Sequence, residues 1–372
     1  VPLPNDGDRA AFIDTLAAED RLPRLDPTLS ARTLAVLAAG LSLVDIEVLA
    51  RSAGVSGAVL TAKQVGELKK RLIEKKCQGL VEFIEPKWGL DAVVGHEAAK
   101  ARFREDARLL GAGHLDVLPM GYLVTGSVGT GKTFLAQCVA GQMNAPCVML
   151  KNFRSKYVGE SEGNLERVLA VLRAMGPVVV VVDEADAALG DRDAGGDSGT
   201  SQRLFAMIAA QMGDTRYRGR ILWMLLTARP DRLPIDLKRQ GRAEVHIPLF
   251  YPVSHEEIAG MFEAMARKLG FTLAAADVPR LEWGEISGAD IEGILGRAWR
   301  RALLENRPLG PADVEVAFRS FLPSIEGGKK AHQKLAAILE CTDLDFLPQA
   351  VRAWVEQQGG REALAASFVA ED

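Results

Sequence analysis

The chain has 372 residues, which is long enough for two or three domains that each bury a core. Apolar residues make up 48% and charged residues 25%, and the net charge of −4 gives no reason to expect nucleic acid or an anionic membrane as partner. The four cysteines are scattered, and no apolar run approaches the length of a membrane span. These features argue against a disulfide-stabilised secreted domain and against membrane insertion, and they predict a cytoplasmic protein with reduced thiols.

The first part of the chain, residues 1–87, is predicted to be a helical region. From Pro27 onward apolar residues recur at spacings of three and four, and the pattern continues through 65–82 until Pro86 ends it. We therefore expect a small all-α unit in front of the next domain.

A predicted α/β domain follows over 88–249. Its apolar runs alternate with helical segments and predict strands at 121–125, 146–150, 178–182, 221–226 and 244–247. Strands that are apolar throughout and separated by helices form a parallel sheet covered on both faces. The expected fold is a three-layer parallel-sheet domain.

After Pro252 the strand pattern stops. Helices predicted at 254–269, 288–305 and 311–321 form an all-α unit over 250–322, and a helical C-terminal tail covers 323–372. The α/β domain is therefore expected to carry helical segments at both ends.

The strand at 121–125 runs into the sequence G-x-x-x-x-G-K-T and then into a helix, which is the context that a P-loop requires. Glycines let the backbone form a concave nest whose N–H groups face phosphate oxygens at the positive end of the following helix. Lys132 is expected to reach the β- and γ-phosphates, and the Thr133 hydroxyl to ligate Mg²⁺. The nucleotide-binding residues predicted here are Gly126, Ser127, Val128, Gly129, Thr130, Gly131, Lys132, Thr133 and Phe134.

A second motif lies downstream, where the apolar run 178–182 ends in Asp183 and Glu184. A strand next to the P-loop strand would deliver these carboxylates beside the phosphates. Asp183 is expected to hold the Mg²⁺ shell together with Thr133, and Glu184 to polarise the attacking water as general base. Together the two motifs predict an enzyme that hydrolyses ATP with Mg²⁺ as cofactor.

With these motifs, residues 88–321 resemble an AAA-type ATPase of the AAA+ superfamily. The resemblance implies a ring, usually a hexamer, in which Arg239 and Arg242 of one subunit reach the γ-phosphate held by the next. It also implies that 250–322 is a lid that closes on the nucleotide. The residues that it implies near the adenine are Val94, Gly95, Gly288 and Ala289.

The segment that contains Lys156, Tyr157 and Val158 resembles the pore loop with which such rings grip an extended polypeptide. Tyr157 would offer a large contact face at low entropy cost. The glycine-rich stretch 190–199 lies where a second pore loop is expected. The resemblance therefore implies a protein substrate that is remodelled or threaded through a central pore. Arg203 fits contact with a neighbouring subunit and a solvated helix face equally well.

The chain departs from the family pattern at Ala228, where the family places a polar sensor. Alanine cannot form a hydrogen bond to the γ-phosphate or to water. Either Thr227 takes the sensor role, or hydrolysis is less tightly coupled to phosphate sensing.

An internal similarity leaves two interpretations open. The sequence 42–47 resembles 287–292, and an amphipathic helix follows each. The two helices are either unrelated and share capping chemistry, or residues 27–85 are the helical remnant of a degenerate upstream module.

Other functions share the same motifs. One is a dedicated reactivator of a single target enzyme, similar to the AAA+ proteins that release inhibitors from carbon-fixing enzymes such as Rubisco. Another is a nucleotide-gated scaffold with little turnover. The acidic balance argues against a nucleic-acid motor.

Overall fold

A computed structural model describes residues 3–27, 29–55, 59–77, 79–151, 160–189, 198–322 and 327–371. The strands are β1 (Val81–Ile84), β2 (Gly121–Gly126), β3 (Cys147–Leu150), β4 (Val178–Val182), β5 (Ile221–Thr227) and β6 (Val245–Leu249). The helices before β4 are α1 (Asp6–Ala18), α2 (Ala31–Leu37), α3 (Leu43–Val55), α4 (Ala62–Lys76), α5 (Glu97–Gly111), α6 (Lys132–Gln142) and α7 (Glu160–Met175). The helices after it are α8 (Ala185–Leu189), α9 (Ser198–Met212), α10 (His255–Lys268), α11 (Gly288–Leu304), α12 (Pro311–Arg319), α13 (Gly327–Glu340), α14 (Gln349–Gln357) and α15 (Gly360–Glu371).

The sheet has the strand order β1-β3-β4-β5-β2-β6. Strands β2 to β6 run parallel to their neighbours, and β1 pairs antiparallel with β3 at one edge. The parallel strands lie close to their predicted positions, so the expected α/β class is confirmed. The sheet is mixed rather than purely parallel.

The edge strand β1 corrects the expectation that the N-terminal region is helical throughout. Helix α4 ends at its C-cap Cys77, and the chain then extends so that Val81 lies opposite Leu150 in the antiparallel register. The backbone N–H of Phe83 donates to the carboxylate of Glu74 at 3.1 Å, which joins the strand to the helix before it. A strand of four residues has too short an alternation to be separated from the end of a helical pattern.

Strand β4 illustrates how the sheet is buried on both faces. Val178, Val180 and Val182 belong to the core on one face, whereas Val179 and Val181 belong to the core on the other. Side chains alternate across a strand, so a strand covered by helices on both sides must be apolar at every position.

The N-terminal helices α1–α4 cover the first face together with α7 and α9. Leu34, Ile46 and Val65 share one continuous core with Leu169 of α7. Gly40, at a φ of +89°, lies so close to α7 that a Cβ atom there would come within 2.7 Å of Cγ of Met175. The N-terminal region is therefore packed onto the sheet domain rather than tethered to it.

The C-terminal helices belong to the second face. Ile338, Val351 and Leu364 share a core with Phe103 of α5 and Val179 of β4. Residues 327–371 therefore help to cover the sheet.

The unit formed by α10 to α12, which the sequence predicts to be a lid, has a core of its own. The ring of Trp283 packs against Phe262 and Phe318 with centroid distances of 5.0 and 4.5 Å. Ser287 begins α11 in a capping box with Asp290, whose carboxylate accepts from the Ser287 N–H at 2.9 Å.

Candidate nucleotide-binding site

The loop between β2 and α6 has the glycine geometry of a phosphate cradle. Gly126, Gly129 and Gly131 all have positive φ, at +142°, +87° and +85°. A Cβ atom at Gly126 would lie 2.4 Å from the carbonyl oxygen of Leu249, so only glycine fits there. The loop leads directly into α6, whose first N–H groups have no partner within the helix and are suited to bind an anion.

Lys132 lies inside this cradle. Its Nζ donates to the carbonyl oxygens of Gly126 at 2.7 Å and Ser127 at 3.0 Å. Burial lowers the pKa of Lys132 to about 8, although the carboxylates of Asp183 and Asp186 nearby favour its charged form. A bound polyphosphate would favour the ammonium further, because an opposite charge within a few ångströms stabilises it.

Thr133 and Asp183 meet as the two motifs predict. The Thr133 hydroxyl donates to Oδ2 of Asp183 at 2.7 Å across the fifty positions between them. A hydroxyl and a carboxylate are hard oxygen ligands of the kind that Mg²⁺ binds, and Mg²⁺ keeps several waters besides. The donor set therefore fits this cation.

Glu184 has an unusual backbone. Its φ of +48° lies in the left-handed region, which costs a residue with a Cβ roughly 1–2 kcal/mol. Its N–H donates to Oδ1 of Asp183 at 2.9 Å, and its side chain is exposed. Strain of this kind clusters at functional sites, and the exposed carboxylate is free to take a proton as the predicted general base would.

One expectation about this region needs correction, and a second residue has partners that the sequence did not indicate. Strand β4, which carries Asp183, is not the neighbour of the P-loop strand, because β5 lies between them. Thr227 at the end of β5 is buried, and its hydroxyl donates to Asp186 at 2.6 Å while it accepts from the N–H of Arg229 at 2.8 Å. The single proton of this hydroxyl is donated to Asp186, so in this conformation Thr227 has no proton to donate to a γ-phosphate.

Asp186 is the residue that the motif reading missed. The charge of its carboxylate favours the charged form of Lys132, and the carboxylate accepts a hydrogen bond from the Thr227 hydroxyl. The available signal was a third acidic residue close behind Asp183 and Glu184, in the first turn of α8.

A cleft of about 420 Å³ adjoins the P-loop. It is lined by the sequence-predicted residues Val94, Gly95, Gly129, Thr130, Gly131, Phe134 and Gly288. Ala289, which was predicted with them, is not among its lining residues. The lining residues that the sequence did not suggest include Tyr251, Glu257, Met261 and Met265.

The cleft lies between the α/β domain and the lid. A Cβ atom at Gly129 would come within 2.8 Å of the Cβ of Ser287, so the P-loop and the start of α11 are in direct contact. His96 lines the same cleft, and burial lowers its pKa, although Glu257 partly opposes this. A neutral imidazole at this position suits the uncharged base of a nucleotide.

The two predicted arginine fingers differ in exposure. The side chain of Arg239 is 58% exposed and forms an ion pair with Asp236 at 3.2 Å. Arg242 is only 15% exposed, and its Nη1 donates to the carbonyl oxygen of Asp236 at 2.7 Å. Neither is among the residues that line the cleft of its own chain.

The remaining predicted residues are placed as follows. Lys156, Tyr157 and Val158 lie outside the described residues, as does most of the expected second pore loop. Arg203 forms an ion pair with Glu162 at 3.1 Å. Among the described residues, no helix combines the length and the apolar character that a membrane span needs.

Fold and site together define a P-loop nucleoside triphosphatase with a helical unit beside the nucleotide cleft. Comparison with known families makes this specific, because residues 122–251 match the ATPase family associated with various cellular activities (AAA). The chain belongs to this family of ATPases. Residues 7–78 match the second helical domain of AAA+ chaperones.

Among known proteins, the chain is 34% identical over 197 residues to the ATP-dependent zinc metalloprotease FtsH of Acholeplasma laidlawii (51% of this chain, 30% of that protein). It is 32% identical over 193 residues to the cell division cycle protein 48 homolog of Archaeoglobus fulgidus (50% and 26%). It is 29% identical over 305 residues to the peroxisomal ATPase pex6 of Schizosaccharomyces pombe (78% and 32%). The chain spans less than a third of the length of each of these relatives.

Proposed function

We propose that copies of this chain assemble into a hexameric ring that hydrolyses ATP. The ring uses the energy of hydrolysis to remodel a protein substrate. The observation that carries the proposal is the joined pair Thr133–Asp183 beside Lys132, with Arg239 exposed outside its own cleft. The first group supplies a nucleotide site, and the second supplies an exposed cation that is available to a neighbouring subunit's site.

In this mechanism Lys132 and the N–H groups of the P-loop bind the β- and γ-phosphates, and Thr133 and Asp183 hold the cation. When bound, Mg²⁺ neutralises charge on the phosphate oxygens. Glu184 orients a water for in-line attack and takes its proton. Arg239, and Arg242 after it is released from Asp236, stabilise the charge on the γ-phosphate from the adjacent subunit, an effect worth about 10³–10⁵ in turnover.

The test uses two variants. Lys132→Ala should abolish ATP binding, because the phosphates lose their central cation. Glu184→Gln should keep binding and lose turnover. Unchanged ATP affinity in the first variant, or wild-type turnover in the second, contradicts the assignment.

The protein substrate is supported by the relatives and by the pore-loop sequence around Tyr157. A metalloprotease among the relatives acts on proteins, as its name states. Tyr157→Ala should leave basal ATPase close to wild type and stop processing of an unfolded protein. Continued processing would contradict threading through a pore.

A scaffold with little turnover is the second candidate, and a specific observation favours it. Ala228 supplies no hydrogen-bonding group, and the hydroxyl of Thr227 is used by Asp186 and Arg229. ATPase at the level of Glu184→Gln in every assembly state would select the scaffold over the motor.

We further propose that 7–78 is the lid of a degenerate upstream module, supported by the match to an AAA+ helical domain.

The proposed compartment is the cytoplasm. It is supported by the buried free thiols, among which burial raises the pKa of Cys138 and Cys147 to about 12. Such thiols are protonated and unreactive at neutral pH.

A further inference from the structure

The P-loop is held from outside by helix α13, which lies about two hundred residues further along the chain. The Ser127 hydroxyl donates to the carbonyl oxygen of Lys330 at 3.2 Å, and the Val128 N–H donates to Oε1 of Gln333 at 3.1 Å. Both groups lie at the start of the loop, ahead of Gly129, Gly131 and Lys132. These bonds therefore fix the rim of the loop to the helix.

A third bond fixes the same rim. The Tyr251 hydroxyl donates to the carbonyl oxygen of Val128 at 2.6 Å, and the ammonium of Lys330 lies 5.7 Å from the centroid of the Tyr251 ring. Both the N–H and the C=O of Val128 are thus bound by residues outside the loop. Movement of this rim, as a triphosphate enters or leaves, has to be transmitted to α13 or break these bonds.

The other end of α13 contacts the segment 238–242, the arginine loop, which carries Arg239 and Arg242. Glu340 accepts from Nζ of Lys238 at 2.9 Å, and Lys238 directly precedes Arg239. The pair is mostly covered, with side chains 14% and 20% exposed. Hydrogen bonds from His246 and Lys238 lower the pKa of Glu340 against the opposing effect of burial, so the carboxylate stays charged at neutral pH.

Gln333 and Glu340 lie seven residues apart, which is two helical turns, so they are on the same face of α13 about 10 Å from each other. The helix between them is anchored by Ile338, which is fully buried. A helix packed in this way moves as a unit, because shifting one turn alone would break its backbone hydrogen bonds.

We propose that residues 330–340 of α13 form a strut that couples the P-loop of a subunit to the arginine loop of the same subunit. Gln333 is a positioning residue for the P-loop, and Glu340 is a positioning residue for Arg239. Through the strut, the nucleotide state of one site controls the position of Arg239, which completes the site of the neighbouring subunit. It rests on the proposed function in one respect, namely that Arg239 acts in the adjacent subunit.

The test changes the residue at one end of the strut and measures the effect on the site at the other end. Gln333→Met removes the acceptor for the Val128 N–H and keeps the length and helix propensity of the side chain. Glu340→Gln removes the charge that holds Lys238 and keeps the shape. Gln357→Met, at an exposed glutamine of α14, is the matched control.

Two readouts are measured on the full chain. One is the affinity for a slowly hydrolysed ATP analogue with Mg²⁺, and the other is kcat at saturating ATP. We expect Gln333→Met to raise the dissociation constant about threefold to tenfold, the size of one lost hydrogen bond, and also to lower kcat. We expect Glu340→Gln to lower kcat. We also expect it to raise the dissociation constant of the analogue about threefold, although Glu340 is not among the residues that line the cleft.

The double variant decides between a strut and two separate contacts. Because either change alone disconnects the strut, the double variant should be no worse than the poorer single variant on each readout. Affinity unchanged in Glu340→Gln, together with effects that multiply in the double variant, would overturn the proposal. Equal losses of melting temperature without these crossed effects would also overturn it, because they indicate packing alone.

The same series separates this inference from the proposed function. Wild-type turnover no higher than that of Glu184→Gln would refute the proposed ATPase motor, while the affinity measurement, which needs no turnover, still decides the strut. An active wild type beside a neutral Glu340→Gln refutes only the strut.

Discussion

Helix α3 of the N-terminal unit and helix α11 of the lid begin with the same capping chemistry, but the residue that follows the cap has a different role in each. The Ser42 hydroxyl donates to Asp45 at 2.5 Å, and the Ser287 hydroxyl donates to Asp290 at 2.6 Å. In both, the aspartate N–H donates back to the serine oxygen, at 3.3 and 3.1 Å. The cap thus fixes where each helix begins, and it does not decide what the helix does.

The difference lies in the residue after the cap. Gly288 follows Ser287 and lines the nucleotide cleft, where a Cβ atom would lie 3.2 Å from Cε of Met265. Leu43 follows Ser42 and packs against the core shared by the N-terminal helices and the sheet. A single position therefore separates a helix start that leaves room for a ligand from one that fills the space.

The largest expected effect is on ATP binding, when the residue after the cap of α11 is replaced by the leucine found at the same position of α3. Gly288→Leu should weaken ATP binding by roughly 10- to 100-fold, because the new side chain must displace Met261 and Met265 and enter the cleft. Isothermal titration with the ATP analogue measures this directly.

The matched control is the reverse change, Leu43→Gly. It should cost about 2–4 kcal/mol of stability through lost packing and added backbone freedom, and leave ATP affinity unaltered. Weaker nucleotide binding in Leu43→Gly, or normal binding in Gly288→Leu, would break the comparison.

A smaller effect is expected in the N-terminal unit at Lys69. Burial and the nearby Arg9 lower the pKa of this lysine to about 8, below its unfolded value of about 10.4. Folding therefore disfavours the charged form, and Lys69→Met should stabilise the unit by about 1–2 kcal/mol below pH 8.

The pH dependence has a definite sign. Between pH 8 and about 10.4 the unfolded chain binds more protons than the folded chain, so wild-type stability rises with pH. The advantage of Lys69→Met should shrink across that window in urea titrations. A constant advantage at every pH would show that the gain comes from packing and not from charge.

The smallest effects are expected at the caps themselves. Ser42→Ala and Ser287→Ala should each cost about 1 kcal/mol of stability through loss of an N-cap. Only Ser287→Ala should also raise the KM for ATP, since Ser287 contacts Gly129 of the P-loop. Equal KM values in the two variants would mean that the lid start does not sense nucleotide.

The parts of the molecule that could be predicted from sequence are those set by local patterns. The P-loop, Asp183 and the parallel strands follow from apolar runs that end in glycines or acids, and the structure joins Thr133 to Asp183 as expected. Strand β1 escaped prediction because its pairing with β3 is not local.

The contacts that escaped prediction are side-chain bonds between distant parts of the chain. Nothing around Gln333 indicates that its amide reaches Val128, and nothing around Thr227 indicates that Asp186 takes its hydroxyl. Patterns of three, four or two residues report burial and say little about partners far along the chain.

The claim on which the account depends is that two copies of the chain share each nucleotide. The direct test mixes equal amounts of two inactive variants, Glu184→Gln, which keeps Arg239, and Arg239→Ala, which keeps Glu184, and measures ATP hydrolysis. A site formed by an Arg239→Ala subunit beside a Glu184→Gln subunit has every group it needs, so the mixture should recover about a quarter of wild-type turnover if subunits assemble at random around the ring. A mixture as inactive as its components, or wild-type hydrolysis by Arg239→Ala alone, would contradict it.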